Sequence, residues 1–173
     1  CGRWMGLMPN LSEYTEIKKM VAKAIVSDRT CVDLITNTNN KEPLPAARLI
    51  QTKNAINQIH LYDFIPGVTE SAKVHVCVEV YDFPPTSVAV GIYELCIYCI
   101  VPDELMAMDV AVRRDELVAA IDKLLNNKAG FWFGTFERLQ GKCSQPVEGF
   151  RCRALRYRVE AWNNHGETLD ADR

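Results

Sequence analysis

The sequence predicts an α+β protein: a single sheet of about four mainly antiparallel strands with two amphipathic helices packed on one face. Three observations predict this. "EIKKMVAKAIV" and "RDELVAAIDKLL" repeat apolar residues at the three-to-four spacing of one helix face. "KVHVCVEV" and "YELCIYCIVP" are rich in the β-branched and aromatic residues of strands, the first alternating strictly. The order is helix, short helix, loop, strand, strand, helix, strand, which lets one sheet face be covered by the helices.

The first helix is read over "NLSEYTEIKKMVAKAIV". Ile17, Met20, Val21, Ala24 and Ile25 form its apolar stripe, and Asn10 or Ser12 caps it, Asn10 and Glu13 having the spacing of a capping box. Asp28 is the expected N-cap of a short helix burying Val32 and Ile35. From Thr36 to Ala47, asparagine, proline and lysine predict a long loop. "IHLYDFIPG" reads as a short extended piece ending at Pro66-Gly67.

In the first full strand Val74, Val76, Val78 and Val80 share one face, and Lys73, His75, Cys77 and Glu79 share the other, predicting a strand with one dry face. Pro84-Pro85 interrupts it, and the next strand runs to Pro102 as its antiparallel neighbour. Leu117, Ile121, Leu124 and Leu125 stripe the later helix, with Asp109 as its expected cap and Gly130 as its stop. "FWFGTFERLQGKCSQPVEG" reads as a connector. In the closing strand Phe150 and Cys152 lead, then Leu155, Tyr157, Val159 and Ala161, and a bulge near Ala154-Leu155 would reconcile the two phases.

Length bounds the organisation: 173 residues suit one domain with one core. Residues 1–10 read as an N-terminal arm, 11–162 as the α+β domain and 163–173 as a polar tail. A net charge of −2 supplies no general field for nucleic acid or anionic lipid. The apolar runs fall short of a membrane span, so no membrane partner is expected. No basic segment leading into an apolar stretch opens the sequence, so no secretory signal is read.

Seven cysteines is an odd number, and the reading is reduced, mostly buried thiols rather than a disulfide framework. Cys96-Ile97-Tyr98-Cys99 has the spacing of a redox dithiol or half a zinc site. In a strand, however, residues three apart point to opposite faces about 10 Å apart. A disulfide needs less than about 7 Å. No second cysteine or histidine pair completes a zinc set. Both cysteines are therefore read as structural. His60, His75 and His165 are scattered, and a Cys77–His60 nucleophile–base pair stays open, although no glycine-rich turn presents an activated nucleophile. "GVTESAK" lacks the ending of a phosphate loop. No catalytic residue, metal or cofactor is expected.

Two groups remain. With a bulge between them, Arg151 and Arg153 and then Arg156 and Arg158 would line one exposed face of the last strand, as candidate channel or interface charges. The alternative is a solvated face or salt bridges. Phe131, Trp132, Phe133 and Phe136 are denser than a loop needs, and either close over the core or enter a subunit interface. Arg113 and Arg114 are a further candidate subunit contact.

The succession from the N-terminal amphipathic helix through the long loop to "KVHVCVEV", "YELCIYCIVP", "RRDELVAAIDKLL" and "EGFRCRALRYRVEAW" resembles the tail terminators and related neck, tail-completion or head–tail joining proteins of long-tailed bacteriophages. The similarity covers Leu11 to Trp162 and rests on element order and sequence texture. It implies a non-enzymatic virion protein, a homo-oligomeric, hexameric ring at the head-proximal end of the tail. Such a ring stops elongation of the tail tube and joins it to the head connector or stopper protein. Double-stranded DNA passes through its channel without sequence-specific contact. Assembly would take place in the host cytoplasm and the location would be the virion neck. The resemblance places the Thr36–Ala47 loop and the Pro66–Lys73 segment against adjacent rings or subunits, and the arginine-rich strand and the Phe131–Phe136 connector near intersubunit surfaces. The alternatives are another neck component, a small α+β enzyme or ligand-binding domain, and a nucleic-acid adaptor using the arginine strand.

Overall fold

Two long antiparallel strand pairings organise the molecule. The computed structural model describes residues 11–36, 58–67, 72–83, 90–128 and 134–162. Strand β2 (His75–Phe83) pairs with β3 (Val90–Pro102), which pairs along its whole length with β6 (Phe150–Trp162). A two-residue β1 (Ile59–His60) adds to β2 in parallel. On the far side β4 (Phe136–Leu139) and β5 (Cys143–Ser144) both pair antiparallel with β6. The sheet is thus mixed, with the order β1-β2-β3-β6-β4. It is larger than the sequence predicts, because β1, β4 and β5 are too short to show a period and fall in segments read as an extended piece and a connector.

Helices α1 (Leu11–Ser27), α2 (Arg29–Thr36) and α4 (Arg113–Leu125) lie on one face. A single turn, α3 (Asp103–Met106), follows β3 directly and is too short to show a period in the sequence. The core joins Ile17, Val21 and Ile25 of α1, Val32 and Ile35 of α2, and Leu117, Ile121 and Leu125 of α4 to the inward rows of the sheet. Those rows are Val76, Val78 and Val80; Tyr93, Leu95, Ile97, Cys99 and Val101; and Leu155, Tyr157 and Val159. Each aliphatic side chain fully buried there contributes about 1.5–3 kcal/mol over exposure. Ala22 rather than Ala24 completes the buried stripe of α1.

Asp28 caps α2 as its sequence predicts, its Oδ1 accepting the Cys31 amide at 2.8 Å. Asp109 does not cap α4. The helix starts at Arg113 with Val112 at the N-cap position and no side-chain cap, and Asp109 sits in a turn closed by the Ala107–Val112 bridge. At its other end α4 stops at Leu125, and the chain reverses at Asn127, whose φ of 54° is left-handed. Gly130, the expected stop, lies outside the described residues, as do Asn10 and residues 37–57, 84–89 and 163–173.

The closing strand contains no bulge. Its register against β3 is continuous from Pro102–Phe150 to Val90–Trp162. The phase slip in its sequence has another cause: the cover changes sides. Leu155, Tyr157 and Val159 lie under the helices, whereas Phe150 and Cys152 point to the opposite face. There they join Cys77 and Ile100 in a second cluster, with Phe64 and Val147 packed against it. For the same reason His75 and Cys77 are buried, not on a wet face. The irregularity lies on the neighbouring edge strand. Leu139 pairs with Arg156 and Cys143 with Arg153, so four steps on the edge match three on β6. One extra residue is accommodated at Gln140–Lys142, where Ala154 N–H donates to the Lys142 carbonyl at 2.8 Å.

Candidate functional site

The open part of the sheet, on the face away from the helices, is one candidate surface. Strand alternation and register place Glu79, Cys96 and Arg156 in one cross-strand row and Tyr81, Glu94 and Arg158 in the next. A shallow depression of about 430 Å³ lies here, lined by Tyr81, Glu94, Cys96, Tyr98, Arg156 and Ala154, with Lys142, Cys143 and Ser144 at its edge. Glu94 accepts a hydrogen bond from Arg156 Nε and a weaker one from Cys96 Sγ at 3.3 Å. The Arg156 guanidinium holds the Glu94 carboxyl below the usual carboxylate range, against the upward push of burial. Burial raises the Tyr98 and Tyr81 hydroxyls, which hydrogen-bond one another. This is a neutral, hydrogen-bonded surface with no activated group.

The four arginines of β6 do not form one stripe. Without a bulge in β6, Arg151 and Arg153 emerge on the helix side and Arg156 and Arg158 on the open side. All four are paired within the chain. Arg151 Nε donates to Asp103 at 3.0 Å, Arg153 to Asp115 at 3.0 Å, Arg156 to Glu94, and Arg158 to Glu160 at 2.7 Å. Burial works upward on Asp115, but the hydrogen bonds from Arg114 and Arg153 outweigh it and the carboxyl sits low.

Arg113 works inside the chain: Nε donates to the Leu105 carbonyl at 2.9 Å and one terminal nitrogen to the Leu34 carbonyl at 3.3 Å, tying α3 and α2 to the start of α4. Arg114 donates to Asp115 at 3.2 Å. Phe136 is fully buried against Tyr157, ring centroids 5.9 Å apart, and belongs to the chain's own core rather than to an exposed contact. Phe131, Trp132 and Phe133 lie outside the described residues.

Five of the six described thiols are buried, and Cys143 is exposed. Cys96 and Cys99 point to opposite faces, and Cys31, Cys77, Cys96, Cys99, Cys143 and Cys152 are all free. Burial pushes the thiols of Cys31, Cys77 and Cys96 up to about 12 and that of Cys152 to about 11, with Cys99 raised as well. The register sets His60 directly opposite Cys77, whose thiol donates to the Phe64 carbonyl at 3.6 Å and is pushed up to about 12 by burial. His60 Nε2 and His75 Nδ1 lie 3.1 Å apart, with Phe64 stacked on His60. Nothing in the sequence brings these histidines together, because β1 is too short to announce its pairing with β2. His165 lies outside the described residues. Among the described residues no three histidine, cysteine or carboxylate side chains gather as a metal site, and no helix is long and apolar enough to cross a membrane.

A second depression, also about 430 Å³, lies between α2 and α4, lined by Asp28, Thr30, Glu116, Ala119, Ala120, Lys123, Leu124 and Lys128. Its mixture of small, apolar and oppositely charged groups is suited to packing rather than chemistry.

Comparison with known proteins gives this surface a context. The YomW family model matches residues 28–159, most of the chain. The chain belongs to the YomW family. No curated protein matches it. Among solved structures, a chain from the "Virion of native gene transfer agent (GTA) particle" is similar to this YomW-family protein with a TM-score of 0.52 and 16% identity. The alignment covers 84% of this chain and 94% of that one. At that identity the likeness is one of fold.

Proposed function

We propose that the chain is a non-enzymatic structural subunit of a phage or phage-like virion. Its finer role in this reading is a hexameric ring at the head-proximal end of the tail that terminates the tube and joins it to the head connector, DNA passing through the channel. The observation that carries the reading is the extent of the fold likeness, which runs over nearly the whole of a chain from a virion particle. Membership in the phage-derived YomW family supports it. On the surface, the arginines of β6 are paired with carboxylates of the same chain. Residues 11–162 would form the body of the subunit, with 1–10 and 163–173 as arm and tail.

In a ring each copy presents two different surfaces to its neighbours, and the association closes when the rotation closes. The test is imaging of particles made without this chain. The reading expects tails of uncontrolled length, or tails detached from heads. Particles with joined tails of normal length would overturn it.

A further inference from the structure

His60 and His75 meet inside the chain. Each is 2% exposed, and Nε2 of the first lies 3.1 Å from Nδ1 of the second. At that distance one ring donates its N–H to the bare nitrogen of the other. Phe64 stacks on His60 with ring centroids 4.0 Å apart and lies 4.9 Å from His75, and its carbonyl accepts the Cys77 thiol. Through Phe64, residues 61–66 pack on the second cluster of the sheet, Cys77, Ile100, Phe150 and Cys152. The histidine pair therefore lies beneath the segment that covers this face.

The closed pair suits one state of protonation. Neutral, it is joined by an N–H···N bond. A first proton places a positive charge in a buried site, which desolvation disfavours. A second gives both facing nitrogens a hydrogen, so the bond is lost and two like charges face one another. Among the described residues, the neighbouring groups do little to relieve this. Cys77 of β2 and Cys152 of β6 carry thiols raised by burial, so neither offers a negative charge. Tyr62 of the covering segment and Tyr98 of β3 bring hydroxyls. Asp63 is exposed, so water screens its pull on a proton. Glu79, the next outward residue of β2 after Cys77, is held by Lys18 of α1. Lys73, two residues before His75, is exposed and adds a like charge.

We propose that the His60–His75 pair is an acid-sensitive latch. Neutral, it holds residues 61–66 closed over the second cluster; on taking up protons it releases them, uncovering Cys77, Ile100, Phe150 and Cys152 while the helix-side core stays packed. Burial fixes the direction. The closed form binds fewer protons than the open one, so closure is favoured above the ordinary histidine value of about 6.5 and is lost as pH falls below it. Each proton taken up on opening raises the open population about tenfold per pH unit. The latch acts within one chain and stands apart from the ring reading.

The test labels the full chain with dithiodipyridine, an activated disulfide that still captures thiols in mild acid. Labelling is read by peptide mass spectrometry and normalised to the urea-denatured protein at each pH. Cys77 and Cys152 are expected to gain labelling by about tenfold or more from about pH 7 to about pH 5. Cys31 and Cys99, in the helix-side core, should stay protected. The double variant His60→Gln/His75→Gln keeps side chains that hydrogen-bond but do not titrate, and its profile should be flat. His75→Gln alone is the milder change; it removes the repulsion between two charged rings, so its acid rise should be shallower. Circular dichroism at neutral pH checks the fold of each variant. A flat wild-type profile, an equal gain at Cys31 and Cys99, or an acid rise unchanged in either folded variant would overturn the latch.

Discussion

Glu94 and Arg156 pair diagonally across β3 and β6, although the register sets Arg158, not Arg156, directly opposite Glu94. The diagonal brings the guanidinium over the Cys96 row and leaves Arg158 to Glu160. Glu94 is 8% exposed, so its charge depends on this partner. Its carboxyl is depressed, so the stability it contributes is present above the ordinary glutamate value and is lost as pH falls through the lower folded-state value. Glu94→Gln is expected to cost about 1–3 kcal/mol at neutral pH and to flatten the acid limb of the stability curve. Urea unfolding at a series of pH values checks both. An unchanged acid limb would show that other carboxylates carry it.

Thiol reactivity separates the described cysteines. Cys143 is the exposed one on the edge strand, whereas Cys31, Cys77, Cys96, Cys99 and Cys152 are buried. Iodoacetamide on the folded protein, read by peptide mass spectrometry, should modify Cys143 and leave those five unmodified until denaturant is added. Rapid native labelling of both Cys96 and Cys99 would revive the dithiol reading.

The parts legible in the sequence are those with a long period or a local hydrogen bond. The stripes of α1 and α4, the valines of β2 and the Asp28 cap are of this kind. Other features depend on neighbours distant in sequence. Phe150 and Cys152 look out of phase with Leu155 and Tyr157 only because separate segments cover the two faces of β6. No residue of the strand itself announces this; the signal lies in Phe64, which is remote along the chain, and in Val147, in the turn just before Phe150. The His60–His75 contact and the buried Gln58, whose Nε2 donates to the Ile35 and Val74 carbonyls, are invisible for the same reason. The arginines were legible as charges but not as pairs, since their carboxylate partners come from α3, α4, β3 and β6 itself.

Gly141 marks the bulge on the edge strand. A Cβ there would lie 2.2 Å from the Ala154 carbonyl oxygen, a backbone atom that cannot swing aside. Gly141→Ala is therefore expected to destabilise the protein by about 1–3 kcal/mol and to speed hydrogen exchange of the Ala154 amide. Gly67→Ala, where nothing lies within 4 Å, serves as the control and should be neutral or slightly stabilising. Equal thermal melting of the two variants would contradict the register derived for β4, β5 and β6.

Phe136 decides between the two readings of its aromatic neighbourhood. It fills the core against Tyr157, whose hydroxyl donates to Asp122 at 2.9 Å, while Arg138 on the same edge strand donates to the other Asp122 oxygen at 2.9 Å. Truncation would open a cavity beneath β4 and loosen that knot. Phe136→Ala is expected to cost about 3–5 kcal/mol. Because the contacts are within one chain, the loss should be the same at every protein concentration, as chemical denaturation over a dilution series would read. A residue buried between subunits would behave differently, its loss appearing as a concentration-dependent midpoint. Such a dependence would move Phe136 back to the interface.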